Sequence, residues 1–117
     1  MRAAEDQVAR ILLESARRHG PEAANRYGLL LLAAMAAVGD DPARPGASDV
    51  PRLPGTRAFA ARLIRPHTEP ARRVRSPRHL IVYRVANDGI VDILGVVHDR
   101  MVLSRAARKA VRAAEAP

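Results

Sequence analysis

Apolar side chains recur along this chain in two rhythms, one helical and one alternating. Over residues 3–19, Val8, Ile11, Leu12 and Ser15 fall at i, i+3, i+4 and i+7, one stripe of a helix, while Arg10, Glu14, Arg17 and Arg18 lie off it. Gly20-Pro21 follows, with glycine suited to the residue after a helix and proline to the first turn of the next. Over residues 22–38, Tyr27, Leu30, Leu31, Ala34 and Val38 make a second stripe, widened by Leu29, Leu32 and Met35. Gly39-Asp40-Asp41-Pro42 closes it. So short a connection predicts an antiparallel helical hairpin.

The alternating rhythm comes later. Residues 40–55 carry four prolines and are expected to be loop throughout. Residues 56–65 are expected to be a strand, with Phe59, Ala61 and Leu63 on one face and Ala60 and Arg62 on the other. Residues 66–78 form a second, arginine-rich loop. Then His79–Ala86 and Ile90–Val97 read as two strands joined by Asn87-Asp88-Gly89, residues that tolerate the positive φ of a tight turn. Perfect alternation sets Leu80 and Val82 against Ile81, Tyr83 and Val85, and Ile90, Leu94 and Val96 against Val91, Ile93 and Val97. Both faces of this hairpin are therefore apolar. The helices can cover one. The other is left to a C-terminal helix starting at Leu103, to the proline-rich loop, to a protein partner or to a second copy.

The fold class expected is α+β: a helical hairpin (1–40) on one face of a small antiparallel sheet (56–98), with a short basic C-terminal helix or tail (103–117), all in one domain. Tyr27, Leu30, Leu31, Val38, Leu63, Val82, Val91 and Ile93 are the core candidates. The 117-residue length suits one domain, and 48% apolar residues suffice for a core, but aromatic residues are only 3%, so aliphatic side chains must fill it.

Cysteine is absent, which excludes thiol catalysis, disulfides and Cys-based zinc sites and is consistent with a reducing, cytoplasmic setting. The longest apolar run, residues 28–39, is too short to span a bilayer. The formal net charge is +8, almost all of it arginine, which favours acidic partners. His19, His67, His79 and His98 show no metal-ligand spacing, and no phosphate-binding loop, serine-nucleophile motif or helix-turn-helix pattern is present. No metal or cofactor is expected.

Three stretches then stand out together: Gly39-Asp40-Asp41-Pro42 with Arg44-Pro45-Gly46, Val82-Tyr83-Arg84-Val85, and Val96-Val97-His98-Asp99-Arg100-Met101. With the order helix, helix, proline-rich loop and three strands, residues 4–105 resemble the RelE/ParE superfamily of bacterial toxins, and the ParE branch most. That family places a strand before the first helix. Here a helix follows Met1 almost at once, so either the start lies further upstream, the fold is truncated, or this member does without that strand.

The resemblance implies the toxin half of a type II toxin–antitoxin pair that inhibits DNA gyrase by binding and is neutralised, as a hetero-oligomer, by a cognate antitoxin. The antitoxin would cover Leu80, Ile81, Tyr83, Val85 and Val97, and would supply contact with DNA indirectly. Arg72, Arg73, Arg75, Arg78, Arg100 and Arg105 would meet the target, through charge-assisted contacts to acidic protein or phosphate groups. Under this reading the chain is not an enzyme. An alternative is a RelE-like, ribosome-dependent mRNA endonuclease using His98 and Arg100, although the arginine that the nuclease branch carries falls at Leu80 and its late aromatic near Ala106. A third reading is a non-toxic member that only binds antitoxin.

Overall fold

The two helical stripes fold as a tight antiparallel pair. In this computed structural model, which describes residues 2–64, 77–99 and 103–115 (backbone alone at Arg2, Ala3 and Ser104), α1 spans Arg2–His19 and α2 spans Pro21–Asp40. Gly20 alone connects them, at φ +91°, a left-handed conformation that glycine adopts without penalty. Its N–H donates to the carbonyl of Ala16 at 2.9 Å and closes α1.

Four antiparallel strands follow in the order β1 (Ser48–Asp49), β2 (Thr56–Ala60), β3 (His79–Val85) and β4 (Val91–His98), each paired with the next. The segment 40–55 is thus not all loop. Its two-residue strand is fixed by Arg57, which stands opposite Asp49, binds its Oδ1 at 2.9 Å and also donates to the Ala47 carbonyl. The expected strand over 56–65 ends at Ala60. Residues Ala61–Leu63 form a 3-10 turn, in which positions three apart share a side, so Ala61 and Ile64 are buried while Leu63 is half-exposed.

The β3–β4 pairing is irregular. Val85↔Val91, Arg84↔Asp92 and Tyr83↔Ile93 stay in one register, whereas Val82↔Gly95 through His79↔His98 keep another. Leu94 is the extra residue of a β-bulge, and it reverses the facing of the rest of β4. Val96 therefore joins Val91 and Ile93 beneath the helical hairpin, and Val97 joins Leu94 on the opposite side, the reverse of what perfect alternation predicts.

Both faces are covered by the chain itself. On one, Tyr27, Leu30, Leu31, Ala34 and Val38 of α2 pack with Phe59, Ile81, Tyr83 and Val96. On the other lies α3 (Leu103–Glu115), whose Ala106, Ala107 and Ala110 pack on or beside Ala58, Val82, Leu94 and Val97. The C-terminal helix is thus the main cover for the second face, joined by Val50 and Leu53 of the proline-rich segment. Of the core candidates, Tyr27, Leu30, Leu31, Val38 and Val82 are buried, and Leu63, Val91 and Ile93 are half-buried at the core's margin.

Gly95 is where α1, β4 and α3 converge. A Cβ there would lie 2.7 Å from Gln7 Oε1 and 2.8 Å from Ala110 Cβ. Gln7 is held in place because its Oε1 accepts the N–H of Val96 at 2.7 Å, a donor that strand β4, at the sheet's edge, does not otherwise place. Gly95→Ala is expected to destabilise the chain by about 1–3 kcal/mol, as overpacking does. Equilibrium urea unfolding should show a lower midpoint with an unchanged slope.

Candidate functional site

The hairpin ends that carry β3's first and β4's last residues bring together a mutually contacting group of titratable side chains. Strand pairing sets His79 directly opposite His98, with their rings edge to face at 5.2 Å between centroids. Tyr27, from the middle of α2, reaches the same place. Its hydroxyl oxygen accepts the N–H of Arg78 at 3.1 Å, so its proton is directed to Nδ1 of His79 at 2.5 Å. That bond leaves the neutral His79 protonated at Nε2. Beside them Asp99 takes Arg78 Nε on both oxygens, at 3.1 and 2.9 Å, and lies 3.3 Å from His98 Nδ1. The N–H of Asp99 donates to the carbonyl of Arg78 and locks the hairpin end.

The electrostatics stem from burial. Desolvation, reinforced by the neighbouring His98, pushes His79 down to about 4. Burial likewise pushes the Tyr27 phenol up. His79 is therefore an uncharged hydrogen-bond acceptor near neutrality, with its Nδ1 lone pair already engaged. The cluster ties the second helix to the sheet end and fixes the point from which the chain leaves β4. His98, half-buried, is part of it.

Of the six arginines assigned to the target, Arg78 and Arg105 are both exposed; Arg78 is paired with Asp99, and Arg105 stands on α3. Arg72, Arg73, Arg75 and Arg100 lie outside the described residues. The pair His98 and Arg100 is thus placed only at His98.

The five residues assigned to the antitoxin do not form one accessible surface. Ile81 and Tyr83 are fully buried under the helical hairpin, where the Tyr83 hydroxyl donates to the Pro42 carbonyl. Val97 is buried on the α3 side, Leu80 is half-buried there, and Val85 is exposed. A partner could reach the first three only by displacing a helix.

Exposed apolar surface lies elsewhere. Leu29 and Leu32 of α2 are 46% and 61% exposed, and with Ala36 they line the side of α2 turned from the core, with the half-buried Ala33 at its margin. This stripe runs into an open cleft of about 580 Å³ bounded by Ala33, Ala36, Ala37, Asp40, Asp41, Arg44, Pro45 and Ile64. Arg44 lies over the Phe59 ring at 5.0 Å, and its buried Nε has no hydrogen-bond partner. Sequence reading missed both Tyr27–His79 and Arg44–Phe59. No local signal marks them, because each joins residues from different elements.

Among the described residues no group of side chains has metal-site composition, and no helix is long and apolar enough to cross a membrane. A family model described as the ParE toxin of type II toxin-antitoxin system, parDE, matches residues 1–103. No curated protein matches the chain.

The depressed His79 has a thermodynamic consequence of definite sign. Its value is about 4 in the folded chain and near 6.5 when unfolded, so between these the unfolded chain binds more protons. This contribution to stability is fully present above about pH 6.5 and is lost as pH falls toward 4. Urea midpoints measured from about pH 7 to about pH 4 should fall, and His79→Gln should flatten that fall.

Proposed function

The chain belongs to the ParE toxin family of type II toxin–antitoxin systems, and from that premise we propose that it inhibits DNA gyrase by binding it and is neutralised by a cognate antitoxin. The observation that carries this reading is the family match, which runs through the helical hairpin and all four strands. Exposed arginines such as Arg105 supply charge-assisted contacts to an acidic target.

In this reading the antitoxin first meets what is accessible: Val85, and the apolar stripe Leu29, Leu32, Ala33 and Ala36. The chain's +8 charge favours a segment of opposite sign.

The reading is tested by inducing the chain alone and together with the product of the adjoining gene, while assaying the purified chain on gyrase supercoiling. Arrest that the neighbour relieves, with supercoiling inhibited and mRNA intact, is expected. Cleaved mRNA with active gyrase would overturn gyrase inhibition in favour of a nuclease. Leu32→Asp should weaken neutralisation by about tenfold, the equivalent of about 1.4 kcal/mol, while leaving gyrase inhibition unchanged. Titration of the antitoxin against both variants in the supercoiling assay reads that difference.

A further inference from the structure

We infer that the outer face of α3 is a binding site for the phosphate backbone of duplex DNA. The contact is made by the chain itself, in contrast to the indirect one that the family resemblance implies. The family match ends at residue 103, where α3 begins, so this helix is what the chain carries beyond it.

The observation is an uncompensated stripe of charge. Arg105, Arg108, Lys109 and Arg112 fall at i, i+3, i+4 and i+7, and all four are exposed. Several other cations are answered by carboxylates: Arg17 and Arg18 by Glu14, Arg57 by Asp49, Arg78 by Asp99, and Arg84 by Asp92 and Glu115; the exposed Arg10, Arg52 and Arg62, without such a partner among the described residues, stand singly on separate elements and form no row. Among the described residues the four on α3 have no such partner. Glu115, the one acid on the helix, is turned to Arg84. Four like charges within about 10 Å of helix repel one another, and a polyanion relieves that repulsion.

The shape of the surface selects among anions. The apolar side of α3 is turned into the fold, with Ala106, Ala107 and Ala110 buried and Leu103 and Val111 packed beside them, so it is not free to enter a lipid layer as an interfacial helix does. The stripe holds no aromatic ring on which the bases of a single strand could stack. It offers no apolar anchor of the kind that dominates protein interfaces. What it offers is a straight row of cations matched to a dense, regular line of phosphates, about one charge per 1.7 Å of duplex axis.

The test is fluorescence anisotropy of a labelled duplex of mixed sequence with the full-length chain, over a range of salt concentrations. Two variants of equal charge are compared: R105Q/R108Q/R112Q on α3, and R10Q/R52Q/R62Q, exposed arginines on other elements. Glutamine keeps the helix propensity, and circular dichroism checks the fold. The α3 variant should lose at least about tenfold in affinity at low salt, and its log–log salt slope should become shallower by about three, while the control stays within about twofold. The single variants Arg108→Gln and Arg112→Gln should each reduce the slope by about one, which keeps the test decisive if the triple variant misfolds. Equal losses in both triples would overturn the site, leaving only net charge. Tighter binding to single strands or to phosphatidylserine vesicles, or no duplex binding at all, would overturn the assignment to DNA.

Discussion

Everything in this fold depends on covering β3 and β4 on both faces. Two neighbouring strands rich in Val, Leu and Ile cannot leave either side in water, so the chain builds three layers, with α1 and α2 on one side, the sheet between, and α3 on the other. The bulge at Leu94 makes this possible. Without the extra residue, Val96 and Val97 would exchange sides, and the hairpin core would lose the valine that sits beside Ile81.

The two covers differ in kind. Beneath α1 and α2 lie the large side chains: Tyr83, Phe59, Leu31 and Ile81. Beneath α3 the fully buried contribution of the helix is alanine, with Leu103 and Val111 at the margin, and close approach replaces bulk. Gly95 and Ala110 set that approach, and Gln7 closes it from α1. The sheet end is sealed differently again, by Tyr27, His79, His98 and Asp99, a polar group in which each member answers another. The toxin family's fold is therefore held by a thick side, a thin side and a polar seal, and the functional surfaces proposed here are what remains outside them.

Much of this was legible in the residues. Both helices, the turn at Asn87-Asp88-Gly89, the two apolar hairpin faces and the basic terminal helix follow from periodicity, and the family follows from three short stretches. The part that was not legible depends on the bulge or on contacts between distant elements. Counted outward from the turn in perfect register, His79 would meet Val97. Only the extra residue at Leu94 brings it to His98. Strand β1 rests on Arg57 facing Asp49 across a proline-rich turn, a pairing that alternation cannot reveal in two residues. Alternation along β3 and β4 says which residues share a face but not which helix lies over it, so the burial of the residues expected to meet the antitoxin was not legible. Ile81, Tyr83 and Val97 are interior because α2 and α3 lie over them.

The alanine underside of α3 also sets the order in which the molecule comes apart. A docked helix that buries mostly single methyl groups gives up little on leaving, whereas α2 must withdraw leucines and a tyrosine. Local opening therefore begins at α3, as a separate cooperative unit with a lower opening free energy than the hairpin core. In hydrogen-exchange terms, the amides of 103–115 lose protection while those of α2 keep it. The transient form so produced presents Val82, Leu94 and Val97 to solvent as an adhesive sheet face, the species from which misassembly of an unpartnered chain would start.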